Sequence, residues 1–432
     1  MKNSDSFLHY LFYFLLAVVF LLPFERIGSF TIGGLNIRIS QMLVVLVLFL
    51  FILYSLYKKS FKIVIPYSLV VYTVFLCVAM LSLISAREKM VGVMVVMFLV
   101  FMFFVPFVFV NIIDSKQRLK TVCWFFLASS FVFCVFGFFQ FFGDIVGLPS
   151  SVTGLSYRYV GKVLGFPRIQ STFIEPLYFA NYLMIPLVVS LFFLIRRVDI
   201  KKNRYLVVVF FISLVCIALT FSKGAVAATI LVFLGIFIFQ LRSIFNRKNL
   251  PYIFVLSILL VSLSWAVLST LRSSPNFDKG FEKAYDIITG ASVTERQEAY
   301  SVALEAFNRK PVLGIGIGNF GPYFSGYPVS APDFGWPIVN NQYLEILAET
   351  GIVGFLVFLV FLGLIFYRSV LAYLNTDDRF LKTFSLASLF VFAGILIQYM
   401  TFSTLYIMHI WVLIGLMLAS QEIILKKENA DD

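Results

Sequence analysis

The sequence predicts an all-α, polytopic integral membrane protein with about twelve transmembrane helices. Three observations support this. Of 432 residues, 61% are hydrophobic and only 13% are charged, against about 45–50% apolar and about 25% charged in soluble domains. A soluble fold of this length could not hide that excess, and the 53 phenylalanines are its largest part. The apolar residues also fall into runs near the ~20 residues a helix needs to cross the hydrocarbon core. Those runs are apolar all round, whereas a β-barrel would alternate apolar and polar positions. No cleavable signal followed by a polar chain is expected.

In chain order the runs occupy 7–24, 41–57, 63–85, 91–113, 122–142, 173–195, 205–221, 225–241, 251–270, 352–368, 383–401 and 405–420. The runs 225–241 and 405–420 are the shortest. The connections differ in character. Basic residues follow every second run: Lys58, Lys59 and Lys62 after the second, Lys116, Arg118 and Lys120 after the fourth, then Arg196, Arg197, Lys201, Lys202 and Arg204 after the sixth. Arg242, Arg247 and Lys248 follow the eighth run, and Arg368, Arg379 and Lys382 the tenth. With Lys2, Lys426 and Lys427, this face holds 20 of the 34 basic residues and 9 of the 22 acids, a net +11 against +1 opposite. By the positive-inside rule both termini are expected in the cytoplasm. The placement of charge therefore matters more than the total of +12, and no nucleic-acid partner is expected.

The outer side keeps the polar length, in a loop at 143–172 and a larger one at 271–340, with the whole of 1–432 forming a single polytopic domain. Any chemistry is thus expected on the outer face. Cys77, Cys123, Cys134 and Cys216 lie in apolar runs without CxxC spacing, so neither a disulfide framework nor a zinc site is expected. Gly314, Gly316 and Gly318 lack the Lys-Ser/Thr of a phosphate-binding loop, and a turn-rich backbone is the better reading.

Three segments carry polar residues out of keeping with their surroundings. In "FPRIQSTFIEPLYFANY", Arg168 precedes the sixth span and Glu175 lies at its start. A carboxylate near hydrocarbon is costly unless paired or wetted, and Arg168 could pair with it if the chain folds back. Alternatively Glu175 is a helix-start acid ahead of Pro176. In "LTFSKGAVAA", Lys223 sits at the tip of a minimal hairpin, where it either snorkels and caps the seventh span or meets an anion.

The third segment, in the large loop, reads as an amphipathic helix. Ser292 and Glu295 have capping-box spacing; Ala299, Val302, Ala303, Ala306 and Phe307 form an apolar stripe, and Pro311 ends it. Arg296 falls in its first turn, where the helix dipole favours a nearby anion. Ahead of the tenth span, Asn340 or Asn341 can cap a short helix whose polar face carries Gln342, Glu345 and Glu349. Gly351 and Gly354 then open the span.

Together these motifs resemble the superfamily of O-antigen ligases and O-antigen polymerases (Wzy), membrane glycosyltransferases of the GT-C type. The ligase signature has His-[Asn/Ser/Gln], nine residues, then Gly-x-x-Gly. Here Asn340-Asn341, Gln342 to Thr350, and Gly351-Ile352-Val353-Gly354 occupy that frame. "FSKG" matches the family's Ser-Arg-Gly with Lys223 for arginine. Arg296 ahead of "ALEAFNRKPVLGIGIGNF" matches a further family arginine, and "RIQSTFIEP" looks like the family's segment at the corresponding span.

The resemblance implies substrates: an undecaprenyl-diphosphate-linked oligosaccharide as donor and as acceptor, presented at the outer leaflet of the bilayer. It also implies a chain-length regulator and a flippase as partners. The leaving lipid diphosphate would be stabilised by Arg296 and Lys223, then Arg168, without a metal or other cofactor. Asn340 would position the acceptor sugar, with Asn341 beside it in the same frame. Glu349, Glu345 and Glu175 are alternative bases for its hydroxyl. Tyr323, Tyr327, Phe334 and Trp336 could stack on sugars, although loop packing suits them better. The ligase histidine is Asn340 here, which cannot act as a base near neutral pH, and this favours a polymerase over a ligase. A lipid-linked sugar transporter or flippase is the other alternative, but it would place charges inside several spans.

Overall fold

The computed structural model describes residues 2–26, 29–32, 35–58, 63–161, 163, 165–244, 291–326, 336–403 and 405–431. The span expected at 251–270, and the stretches 271–290 and 327–335 of the large loop, lie outside the described residues. Eleven of the twelve expected spans are helices: α1 (Lys2–Leu21), α2 (Ile39–Tyr57), α3 (Tyr67–Ser82), α4 (Lys89–Ile112), α5 (Lys116–Ile145), α7 (Pro176–Ile195), α8 (Asn203–Leu219), α9 (Lys223–Ile244), α12 (Gln342–Leu374), α13 (Arg379–Gln398) and α14 (Met408–Asp431). Among the described residues, nine helical stretches are long and apolar enough to cross a membrane. Two shorter apolar helices, Phe7–Leu21 and Tyr67–Ser82, join them. The protein is an all-α polytopic membrane protein. A small antiparallel hairpin, β1 (Ser29–Ile32) with β2 (Leu35–Arg38), links α1 to α2.

Helix starts follow local chemistry. Pro176 opens α7, where its missing N–H would have had no helical partner. Asp378 caps α13, its Oδ1 accepting from the Phe380 and Leu381 amides. α7, α13 and α14 form the enclosed centre, whereas α2, α8 and α9 face outward. Because lipid tails are as apolar as the side chains, close packing and hydrogen bonds must hold such helices together. Tyr72 shows both. Its hydroxyl donates to the Leu99 carbonyl at 3.1 Å, and its ring meets that of Trp411 at 4.7 Å.

The chain departs from expectation between α5 and α7. A short helix, α6 (Ser150–Thr153), lies in the expected outer loop 143–172, but the end of that loop turns into the protein: Ile169, Gln170 and Ser171 are fully buried. Irregular backbone at such depth must have its polar groups satisfied by protein. Gln140 of α5 does much of this, its Oε1 accepting from the Ser171 amide at 2.7 Å and its Nε2 donating to the Ser171 carbonyl at 2.9 Å. The Thr172 hydroxyl donates to the Pro23 carbonyl at 2.7 Å, and the Ile169 amide to the Leu219 carbonyl at 3.2 Å.

In the large loop, α10 (Ala291–Arg309) is the expected amphipathic helix. Ala299, Ala303 and Ala306 of its stripe pack with Ile315, Phe320, Val339 and Ala348. The described part of the helix starts at Ala291, so the expected capping-box start at Ser292 lies at the edge of the described residues. The short helix α11 (Phe320–Phe324) follows.

The segment 311–320 lies against the start of α12. A Cβ on Gly314, whose φ is +70°, would stand 2.3 Å from the Glu349 carbonyl carbon. Backbone approach therefore requires glycine there, as the turn-rich reading anticipated. Gly351, at φ +65°, breaks the helix, so a short helix before it meets the spanning helix after it at a kink, as the sequence placed them. The Ile352 amide, displaced from the helical ladder, donates to the Pro311 carbonyl at 2.8 Å.

Candidate active site

The end of the buried segment, the α8–α9 hairpin, α10 and the α13–α14 turn meet on one face of the helix bundle. Arg168 is fixed first. Its amide donates to the Tyr159 carbonyl at 3.0 Å, its guanidinium lies 5.5 Å from the Tyr159 ring centre, and its Nε donates to the Thr220 carbonyl at 3.0 Å. Thr220 ends α8, and Lys223 three residues on is exposed at the first position of α9. Gly224 beside it abuts the turn after α13, where a Cβ would stand 2.5 Å from the Thr401 hydroxyl oxygen. Close passage of two segments thus accounts for glycine after the lysine.

The same turn receives α10. The Tyr300 hydroxyl is 3.4 Å from the carbonyl of Met400 and equally far from that of Asn340. Arg296 stands one helical turn before Tyr300, on the same side of α10. It is half-buried and has no ion-pair partner among the described residues. The charges of Arg296 and Arg168 both reach Lys223. Three cations from three separate segments therefore share one locality. Nearby like charges repel, so such a cluster favours an anion between its members.

Glu175 is the N-cap residue of α7, one residue ahead of the span, and its carboxylate makes no capping hydrogen bond. No Arg168–Glu175 ion pair forms among the described residues, because Arg168 turns to Thr220 instead. Burial raises the Glu175 carboxyl above the ordinary range, although Arg168 and Arg158 lie close enough to pull it down.

The other acids are engaged elsewhere. Glu349 is buried, and its Oε1 accepts from the Phe320 amide at 3.0 Å. Glu345 is buried too, its Oε2 accepting from the Val339 amide at 3.2 Å. Both carboxylates clasp loop backbone against α12. Asn341 caps α12, its Oδ1 accepting from the Tyr343 and Leu344 amides. Asn340 adopts a left-handed backbone, φ +57°, and stands half-buried beside Tyr300. Of the loop aromatics, Tyr323 bonds to Glu305 and Trp336 packs across Gly321. Tyr327 and Phe334 lie outside the described residues.

Two groups near the site escaped the sequence reading. Glu25 and Arg38, from the two ends of the α1–α2 connection, form a 2.8 Å ion pair in which Glu25 is almost wholly buried. The Glu25 carboxylate acts electrostatically on Glu175's surroundings, including Tyr178. Beneath the buried segment, His409 of α14 bonds through Nε2 to Asn181 Oδ1 at 2.7 Å, and Asn181 in turn donates to Gln398. The rings of Phe173 and His409 meet edge-on at 5.9 Å. A lone glutamate and a lone histidine in apolar sequence carry no spacing signal that could have announced either pairing.

The fold and this cluster of charges define a class: a polytopic membrane protein with a cationic site on one face, built from its inter-helix segments. Residues 208–359 match the family model described as O-Antigen ligase, Wzy_C. This region is thus similar to that family, in agreement with the superfamily its motifs resembled. The matched region contains Lys223, Arg296, Asn340, Asn341, Glu345 and Glu349, and leaves Arg168 and Glu175 outside. No curated protein matches the chain.

Proposed function

We propose that the protein is a lipid-diphosphate-dependent glycan polymerase acting at the outer leaflet of the cytoplasmic membrane. It moves a growing glycan from undecaprenyl diphosphate to the non-reducing end of a new lipid-linked repeat unit. The observation that carries this reading is the gathering of Arg168, Lys223 and Arg296, with the Glu175 carboxylate near Arg168.

The anomeric carbon–oxygen bond to the diphosphate breaks as the acceptor oxygen bonds to that carbon. Negative charge on the departing diphosphate grows, and the three cations stabilise it, the kind of interaction that supplies the largest share of most enzymatic rate gains. Glu175 takes the acceptor proton: its raised affinity for protons suits a base, and its carboxylate is not engaged in capping. Glu345 and Glu349 clamp the loop that carries Asn340. Asn340 orients the acceptor sugar by hydrogen bonds. The basic face bearing the chain's ends would lie in the cytoplasm.

The second reading is a ligase, favoured by the description of the matched family. Deletion of the protein separates the two. A polymerase deletion leaves single repeat units on the final acceptor, whereas a ligase deletion leaves none. Long glycan chains in the deletion strain would sink both.

A further inference from the structure

α7 and α13 run between two faces of the bundle. The candidate site lies where α7 begins and α13 ends. About 30 Å away, at 1.5 Å per residue over twenty residues, the other ends of the same helices border a cleft of about 540 Å³. Arg196, Arg379 and Lys382 line it, together with Tyr373, Ile195 and Leu386.

The two arginines are held together by backbone rather than by an acid. Arg379 Nε donates to the Arg196 carbonyl at 2.8 Å, which brings the two arginines side by side. The acid lining the cleft, Asp377, is fully exposed and lies 3.3 Å from Lys382. The neighbouring Asp378 caps α13 and pairs with Lys116, so it is turned to other work. The cleft therefore keeps an excess of two positive charges. The dipole of α7 favours Arg196 at its C-terminal end, but Arg379 stands at the N-terminal end of α13, where the dipole opposes a cation. An arginine held in that position is best served by an external anion.

The lining is mostly polar, and Ile195 gives it an apolar rim. Ile195 is 43% exposed there, and the Tyr373 ring packs on Phe239 of α9 with the Lys382 ammonium 5.7 Å from its ring centre. Tyrosine is enriched at the boundary between hydrocarbon and headgroups. Cationic clefts between spans on the basic face suit anionic lipid headgroups.

We propose that this cleft binds an anionic phospholipid from the leaflet opposite the candidate active site. The phosphate sits between Arg196, Arg379 and Lys382, and an acyl chain runs out over the exposed Ile195. The site is independent of the polymerase reading, since neither its residues nor its face belong to that reaction.

The test is native mass spectrometry of the full-length protein in detergent with phosphatidylglycerol, phosphatidylcholine or inorganic phosphate added. The wild type should retain phosphatidylglycerol and release phosphatidylcholine. Replacing both Arg196→Gln and Lys382→Gln should weaken retention about 30-fold, each basic residue near an anionic lipid contributing roughly a factor of five. Arg379 is left in place because it ties α13 to α7, and an unchanged melting temperature without lipid will show the variant folded. If it is not folded, Arg196→Gln alone should weaken retention about fivefold. Equal retention of phosphatidylcholine, or retention that the substitutions leave untouched, would overturn the proposal. Displacement of the lipid by millimolar inorganic phosphate would assign the cleft to a free anion instead.

Discussion

Arg168 gives its Nε to the carbonyl of Thr220 across 3.0 Å, and this bond joins the segment leading into the buried residues 169–173 to the hairpin that carries Lys223. A guanidinium can hold a carbonyl with one nitrogen and offer the others to a diphosphate, which an ammonium cannot do with fixed geometry. Arg168→Lys should therefore lose about 10-fold in polymerisation rate, and Arg168→Ala about 100-fold, on the scale of a lost charge-stabilising donor. Polymerisation of purified lipid-linked repeat units at matched protein levels measures both. Equal rates for Arg168→Lys and wild type would show that the fork has no role.

For Lys223, charge is the requirement. Lys223→Arg should keep activity, since arginine preserves the positive charge at this position. Lys223→Ala should lose about 100-fold or more, about 3 kcal/mol of transition-state stabilisation. If the lysine only anchored the hairpin at the interface, alanine would cost at most about 1 kcal/mol of stability and leave turnover intact. The same reconstituted assay, paired with a melting curve, separates the outcomes.

Arg296→Ala should abolish long-chain glycan while the protein reaches the membrane at normal level. The apolar stripe of Ala299, Ala303 and Ala306 holds α10 in place, and Arg296 is no part of it. Immunoblotting of membranes beside a glycan ladder checks this. Long chains from the variant would remove Arg296 from the site.

Glu175 makes a pH prediction. Its carboxyl is raised by burial, so it loses its proton at higher pH than an exposed glutamate. A base acts only once deprotonated, so activity should climb with pH through that raised value. Glu175→Gln should remove the climb and most of the rate. For stability the sign is opposite. The raised value means the charged form is disfavoured in the folded protein, so Glu175→Gln should relieve a cost that grows as pH rises. Rate profiles and melting temperatures across pH 4–9 (a range set about ordinary carboxylate and neutral values) test both, and an unchanged rate profile in the variant would exclude Glu175 as the base.

Glu349 should behave as a structural acceptor. Glu349→Gln retains an oxygen for the Phe320 amide and should stay active, whereas Glu349→Ala leaves that buried N–H unpaired at a cost of about 1–3 kcal/mol. Limited proteolysis in the 311–326 segment and thermal melting would report the difference. An inactive but fully stable Glu349→Gln would make Glu349, rather than Glu175, the base.

The sequence by itself determined the described spans, the α10 helix and the turn character of Gly314, Gly316 and Gly318. These features are local: apolar run length, a 3.6-residue stripe and glycine spacing each act within a few turns of chain. It also singled out Arg168, Lys223, Glu175 and Arg296 as residues out of place, because a charge beside hydrocarbon is conspicuous without knowledge of any partner. Only the tertiary structure decided what those residues do to one another. Gln140 draws the 168–173 backbone inward, Thr220 turns Arg168 away from Glu175, and the Phe320 and Val339 amides engage Glu349 and Glu345. The Glu25–Arg38 and His409–Asn181 pairs arise in the same way. Most of these hydrogen bonds join residues well apart in sequence and are set by how helices pack, and a bond of that kind leaves no period or spacing in the chain to read.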